Sequence, residues 1–255
     1  MKNLLSKNIL RQSVRNSWKL WTTLTAVMAL VILMITVVVT GPSPEMAAAR
    51  PEFSMLGILT NGFYEGMGMF VVLMFLIVVG NRLVASEVDR GTMSFTLNTP
   101  TTRKQIIFSK ALYFIVSVFG MVLIIGLLAT IGILARGLDV DMGKFLLVNL
   151  GFLLCMFAVS GVCFLASCWF NKSGYSLMVG AGVSLAFYFL KSLSNISKDF
   201  EFLKYLSINT LFHADGIIAG TETTFIIIGM VALFAIGIVL YAIGINKFLK
   251  KDLPL

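Results

Sequence analysis

Charged residues are scarce in this sequence, and the motif that most ATP-hydrolysing domains use is missing. Of the 255 residues, 13% are charged and 58% are hydrophobic, whereas soluble domains carry about 25% charged residues. The chain has no G-x-x-x-x-G-K-[ST] loop to hold nucleotide phosphates. The composition excludes an ordinary soluble domain, and the missing loop excludes ATP hydrolysis of that kind by this chain.

Cysteine and histidine are too few and too dispersed for a metal centre. Cys155, Cys163 and Cys168 fall in one apolar run at spacings that rotate them apart on a helix, which predicts buried, unpaired thiols. The single histidine, His213, beside Asp215, is more typical of a surface hydrogen bond than of a catalytic base. A membrane-embedded enzyme would need paired aspartates, a serine with its base or H-E-x-x-H within the apolar runs, and none is present. We predict no catalytic and no metal site.

Long apolar runs are what the sequence has in abundance. Crossing a hydrocarbon core of about 30 Å takes about 20 helical residues. Six runs reach or approach that length: 22–40, 63–85, 106–135, 145–170, 175–193 and 225–245. The alternating pattern of a membrane barrel is absent, and the first run is too long for a cleaved signal. The sequence predicts an all-α polytopic membrane protein with six transmembrane helices.

The distribution of lysine and arginine predicts the orientation. These bases concentrate in residues 1–21, 86–110, 171–174 and after 245, whereas the other loops hold more acids than bases. Basic loops stay in the cytoplasm, so both termini are predicted to be cytoplasmic. The net charge of +8 is then a topology signal rather than a nucleic-acid-binding surface. We predict three parts: an interfacial elbow segment 1–21, a six-helix transmembrane domain 22–245 and a cytoplasmic tail 246–255. The transmembrane domain includes a cytoplasmic loop 86–110 and a large outer loop 194–224.

The N-terminal segment carries a basic stripe. Lys7, Arg11, Arg15 and Lys19 are spaced four residues apart, and Trp18 runs beside them. One interpretation is an interfacial elbow helix with its bases on lipid phosphates and its indole in the interface. The other is a basic flank that only sets the orientation.

Small residues and mixed loops indicate how the runs pack. Gly229, Gly237 and Gly244 recur at about two-turn spacing in the sixth run, which predicts close helix contacts. The loop 194–224 mixes charged, aromatic and aliphatic residues, which is typical of short helices at a membrane face.

The polar loop 86–110 contains signals for a short helix between two long ones. Gly91 is expected to end the second helix, and Thr92 to cap a short helix over residues 93–98. Thr99 followed by Pro100 predicts the start of the third helix. Three bases are expected to hold that start at the headgroups: Arg103, Lys104 and Lys110.

The short helix is predicted to expose Met93, Phe95 and Leu97 among polar neighbours. Exposed apolar groups rimmed by charge mark a protein contact. The alternative is a loop that is merely solvated.

The loop reads Glu87-x-x-Arg90-Gly91-Thr92, followed by Leu97, Pro100, Arg103 and Lys110. This pattern, with six spans, a basic N-terminal elbow and a large last outer loop, resembles the permeases of type-two ATP-binding-cassette (ABC) exporters. The residues just after Gly-Thr depart from the family's usual small or charged ones, being Met93 and Ser94 here.

The resemblance implies that the short helix docks into a groove of a separate ATP-hydrolysing subunit. The contact residues would be Glu87, Arg90, Gly91, Thr92, Met93, Phe95, Leu97, Pro100 and Arg103. It further implies two such chains, identical or homologous, and two ATP-binding subunits that hold the ATP and magnesium, so that no cofactor binds this chain. The location would be a plasma membrane, by resemblance a bacterial one. The cargo would be a peptide, antibiotic or lipid, because few ionisable residues lie within the spans. A non-transporting immunity or sensor protein on the same scaffold is the alternative.

Overall fold

Six long helices build the protein. The computed structural model describes residues 5–38, 54–97, 101–194, 198–221 and 223–251, with the backbone alone at 96, 97, 198, 199 and 201. The helices, which we number spans 1 to 6, are Lys7–Val38, Met55–Asp89, Arg103–Arg136, Met142–Trp169, Ser173–Ser194 and Thr223–Lys250. Each is long and apolar enough to cross a membrane, and no strand occurs in the described residues. The predicted all-α membrane protein with six transmembrane helices is confirmed.

The first and last described parts of the chain lie at the same end of the bundle. The Ser6 amide donates to Ser109 Oγ at 2.9 Å, and Arg103 donates to the carbonyl oxygen of Lys251 at 3.2 Å. We call this end the termini face and the opposite end, which carries the loop between spans 5 and 6, the loop face.

Spans 2 and 4 form the centre of the bundle. Span 4 packs against spans 2, 3, 5 and 6, and span 1 packs mainly against span 3. Most residues in the apolar stretches of spans 2 and 4 are buried, whereas only a minority of those in spans 1, 5 and 6 are buried. Exposed apolar side chains are what a lipid environment requires of the peripheral helices.

Span 1 is one uninterrupted helix that includes the basic stripe. Its 32 residues correspond to about 48 Å, which exceeds a hydrocarbon core of about 30 Å. Residues 7–21 therefore continue directly into the membrane helix, and their place in the interface stays a prediction. The Trp21 indole donates to the Ser117 carbonyl oxygen at 2.9 Å and ties this helix to span 3.

Span 2 begins earlier than the sequence predicts. A loop was expected up to residue 62, but the chain is helical from Met55, where the Ser54 hydroxyl accepts from the amide of Gly57 at 3.1 Å. Residues Ile58–Met67 form a π-helix with a kink at Gly66. Burial of Leu59 and Phe63 in the core explains the longer helix.

Span 3 begins later than predicted, at Arg103. The Thr102 hydroxyl accepts from the Gln105 amide, and the Gln105 side chain accepts from the Thr102 amide at 2.9 Å. This reciprocal capping box satisfies two free donors at once. The expected cap at Thr99 with Pro100 in the first turn is therefore wrong for this helix, and both residues lie outside the described ones.

The loop between spans 5 and 6 contains short helices, as predicted. They are Lys198–Leu206, Ile208–Leu211 and Ala214–Ala219.

The three glycines of span 6 lie where neighbouring segments approach closely. A Cβ on Gly237 would overlap the ring of Phe157, and one on Gly244 would crowd Phe164, both on span 4. A Cβ on Gly229 would overlap the carbonyl oxygen of Leu211.

We predict that Gly229→Val lowers the thermal stability of the purified protein by about 2 kcal/mol, because backbone rather than a movable side chain occupies the space. Gly182→Val in span 5 is the matched control, since nothing lies within 4 Å of its added Cβ. Equal melting temperatures for the two variants would contradict the close contact.

Candidate functional site

A short helix at the termini face connects the last turn of span 2 to the segment before span 3. Gly91 has a φ of +70°, a left-handed conformation that glycine adopts without strain. Its amide donates to the Val88 carbonyl oxygen at 3.0 Å, and its own carbonyl oxygen accepts from the Ser94 amide at 3.2 Å. The prediction that Gly91 ends the second helix is confirmed. We call the following helix, Met93–Leu97, the coupling helix.

The coupling helix presents one apolar side chain and buries another. Phe95 is 75% exposed, whereas Met93 is 1% exposed and belongs to the hydrophobic core. The prediction that Met93 is exposed is wrong, because residues two apart on a helix point about 200° apart. Met93 anchors the helix and Phe95 faces away. The Leu97 side chain and Pro100 lie outside the described residues.

The polar residues predicted to contact the ATP-binding subunit differ in whether they bond to the bundle or are exposed. The Thr92 hydroxyl donates to the Glu87 carbonyl oxygen at 3.2 Å, which ties it to span 2. Arg90 is exposed. Arg103 reaches the carbonyl oxygen of Lys251 and so joins the start of span 3 to the end of span 6.

Span 2 is broken just before the coupling helix, and a side chain fills the break. Val84 departs from helical geometry, with φ −131° and ψ −61°. In a continuous helix the Ala85 amide would donate to the Asn81 carbonyl oxygen. Here Ser167 Oγ stands between them, accepting from Ala85 at 3.0 Å and donating to Asn81 at 3.4 Å. An inserted side chain is a known cause of a helix kink.

Lys110 of span 3 provides a donor for the Leu83 carbonyl oxygen, which the break in span 2 also leaves without its helical partner. Its ammonium donates to the carbonyl oxygen of Leu83 and to Glu87 Oε2, the latter at 2.5 Å. Lys110 is 2% exposed, so its predicted place at the headgroups is wrong. Arg103 and Lys104 are exposed, and their place at the headgroups stays a prediction. A buried ammonium is stable here because the carboxylate and the carbonyl oxygen replace its hydration.

Span 5 is joined to the same part of span 2. Asp89 accepts from the backbone amide of Ser173 at 3.1 Å, and the Asn81 amide group donates to Ser173 Oγ at 2.7 Å. Side chains from spans 3, 4 and 5 therefore fix the turns of span 2 on which the coupling helix is mounted.

The end of span 6 closes over the same face. Lys251 Nζ donates to the Cys168 carbonyl oxygen at 3.1 Å, and burial lowers the pKa of Lys251 from its ordinary value.

The basic stripe of span 1 lies on the outer surface of the bundle. Lys7, Arg11, Arg15 and Lys19 are exposed, and Trp18 is half exposed.

The loop face contains an ion pair that sequence reasoning missed. Lys191 of span 5 and Glu65 of the π-helical segment are 2.6 Å apart. The Lys191 ammonium also donates to the Phe212 carbonyl oxygen at 3.1 Å and lies 5.0 Å from that ring's centre. The sequence does contain a signal for this pair, because Glu65 and Lys191 each lie within an apolar run. An ionisable residue in such a run marks a paired or functional position in lipid.

A cavity of about 1030 Å³ lies above this ion pair. Its walls combine aromatic with charged side chains: Phe187, Tyr205, Phe225, Lys204, His213 and Asp215.

No metal centre occurs among the described residues, where no three His, Cys, Asp or Glu side chains are grouped. The three cysteines are free and buried, as predicted.

A family match over almost the whole length of the chain identifies the family. A model of the ABC-2 family of transporter proteins matches residues 7–253, which include all six spans and the coupling helix. The chain belongs to the ABC-2 transporter family. No curated protein matches the sequence significantly. As a member of this family the protein is a membrane subunit of a transporter and is not itself catalytic. Membership of the family also implies an ATP-binding ABC partner.

We predict that Lys110→Met destabilises this ABC-2 protein by about 3 kcal/mol, because Glu87 loses its counter-ion and the Leu83 carbonyl oxygen its donor. Melting temperatures of purified variants measure this. Adding Glu87→Gln should recover part of the loss, since no buried charge is then left alone. Lys104→Met, at an exposed base of the same helix, is the control, and a loss as large as that of Lys110→Met would refute the role of the buried pair.

Proposed function

We propose that this ABC-2 protein is the permease of an exporter that moves an amphipathic or hydrophobic molecule, driven by ATP hydrolysis in a separate subunit. The observation that carries the proposal is the exposed Phe95 on a helix that is fixed to span 2. A transporter driven from outside its membrane domain needs such a rigid contact, because a flexible loop would absorb the movement.

Phe95 supplies the binding energy of this contact. The helix has five residues and cannot bury the ring against itself. Burying such a side chain in a partner's groove stabilises the complex by about 1.5–3 kcal/mol. The exposed Asp89 and Arg90 provide a charged rim around the apolar contact.

One coupling helix per chain supports one ATP-binding subunit for each permease chain. Two permease chains, identical or homologous, would bind two ATP-binding subunits, which hold the ATP and magnesium. Closed two-fold symmetry is the commonest arrangement of such assemblies.

The termini face is assigned to the cytoplasm of a bacterial cell. It carries the basic stripe of span 1 together with Lys104, Lys172 and Lys250, and basic segments stay on the cytoplasmic side. This orientation also places the coupling helix in the compartment that contains ATP. The loop face is then the outer face of the plasma membrane.

The cavity at the loop face supports an amphipathic cargo such as a peptide, an antibiotic or a lipid. Its volume of about 1030 Å³ is at the upper end of ligand pockets, about 300–1,000 Å³. Aromatic rings and charged groups line it together, so a molecule with apolar and polar parts would find partners for both.

We predict that Phe95→Asp abolishes co-purification with the ATP-binding subunit and transport, while membrane insertion is unchanged. The charge removes the apolar contact and adds a desolvation cost. The matched control is Phe202→Asp, an exposed aromatic at the loop face, which should leave assembly intact. Normal assembly and export by Phe95→Asp would disprove docking through this helix.

The orientation is tested by labelling with a membrane-impermeant thiol reagent. Asp139→Cys should react in intact cells, and Lys172→Cys only after permeabilisation; both positions are exposed. The native cysteines are buried and should contribute little signal. Labelling of Lys172→Cys in intact cells would reverse the assignment.

A further inference from the structure

A second polar crevice lies at the termini face, between span 1 and the broken end of span 2. Its volume is about 350 Å³. Span 1 contributes Ser13, Asn16 and Ser17, and span 2 contributes Arg82 and Arg90. These span 1 residues lie on the side of the helix opposite the basic stripe, as their positions at about 100° per residue require. The crevice is therefore separate from the stripe.

The crevice is positively charged and rich in hydrogen-bond donors. Within the described part of the chain, Arg82 and Arg90 make no ion pair, and no described residue accepts a hydrogen bond from either guanidinium. The one acid in the wall, Glu87, is already paired with Lys110. Two guanidinium charges thus have no counter-ion among the described residues.

The donors converge from both walls. Ser13 and Ser17 line the crevice, and most of each residue is buried, with 8% and 4% exposure. Their hydroxyls make no hydrogen bond within the described part of the chain, so both can donate to a group bound in the crevice. Two guanidinium groups and two hydroxyls on the walls of one crevice match an anion with several acceptor oxygens.

Phosphate is the anion that fits this arrangement. Guanidinium groups bind phosphate oxygens in pairs of parallel hydrogen bonds, and hydroxyls can occupy the remaining oxygens. The volume also leaves room for a small polar group attached to the phosphate.

The depth of the crevice favours a lipid as the source of the phosphate. Arg82 lies near the end of the apolar run 63–85 of span 2, and the apolar run 22–40 of span 1 begins a few residues after Ser17. The crevice therefore lies at the edge of the hydrocarbon, where headgroup phosphates are found. The exposed apolar side chains of span 1, including Val27 and Leu30, provide a path for the acyl chains.

We propose that this crevice binds a phosphate group, carried by the headgroup of an anionic phospholipid. Because the crevice includes the turn of span 2 that precedes the coupling helix, the bound phosphate would also steady that turn.

The test uses the purified full-length chain in detergent, titrated with phosphatidylglycerol and read by native mass spectrometry. Phosphatidylcholine is the zwitterionic reference and inorganic phosphate the free source. We expect one phosphatidylglycerol to bind more tightly than phosphatidylcholine. Arg82→Gln should weaken that binding by about tenfold, the usual loss for a charge-assisted hydrogen bond, and Arg82→Lys by less.

Lys104→Gln is the control, because it removes an exposed charge at the termini face outside the crevice. Arg82 is exposed, so its replacement should leave the melting temperature unchanged. Saturable, Arg82-dependent binding of inorganic phosphate that displaces the lipid would identify the free ion as the source. Equal affinities for the two lipids, or equal losses in Arg82→Gln and Lys104→Gln, would overturn the proposal.

Discussion

The break in span 2 at Val84 is the constraint on which the termini face depends. In lipid an unpaired backbone group costs several kcal/mol, so a broken helix persists only where other groups replace its hydrogen bonds. Ser167 bridges the interrupted pair, and Lys110 takes the carbonyl oxygen of Leu83. These substitutes come from spans 4 and 3, so the direction in which span 2 leaves the membrane is set by its neighbours.

Span 2 is held at its other end by a second buried pair, between Glu65 and Lys191. Glu65 and Glu87 are 22 positions apart in the sequence, so the two pairs hold span 2 near its opposite ends. The lysine partners belong to spans 5 and 3. Span 2 therefore connects the coupling helix to the loop-face cavity, and its two irregular segments lie next to its two ion pairs.

The sequence predicted the six spans and the Gly91 turn because hydropathy and glycine geometry are local properties. It missed the roles of Lys110 and Ser167, since a base near the end of an apolar run looks interfacial and a serine in such a run looks inert. The burial of Met93 could have been predicted, because residues two apart on a short helix point in nearly opposite directions and Phe95 faces outward. The capping box of Thr102 and Gln105 is also visible in the sequence, but the Thr99-Pro100 step indicates an earlier start of the helix instead. The ion pairs required knowledge of which spans are neighbours.

The coupling helix has little stability of its own, which bears on how it binds. A helix of five residues is far below the length at which isolated helices persist in water, about 12–15 residues. Its position is set by the Gly91 turn and by the burial of Met93 on the bundle. A partner that covers Phe95 would add a second apolar contact on the opposite side. Docking would thereby complete the packing of the helix, so that affinity for the ATP-binding subunit and order at the end of span 2 increase together.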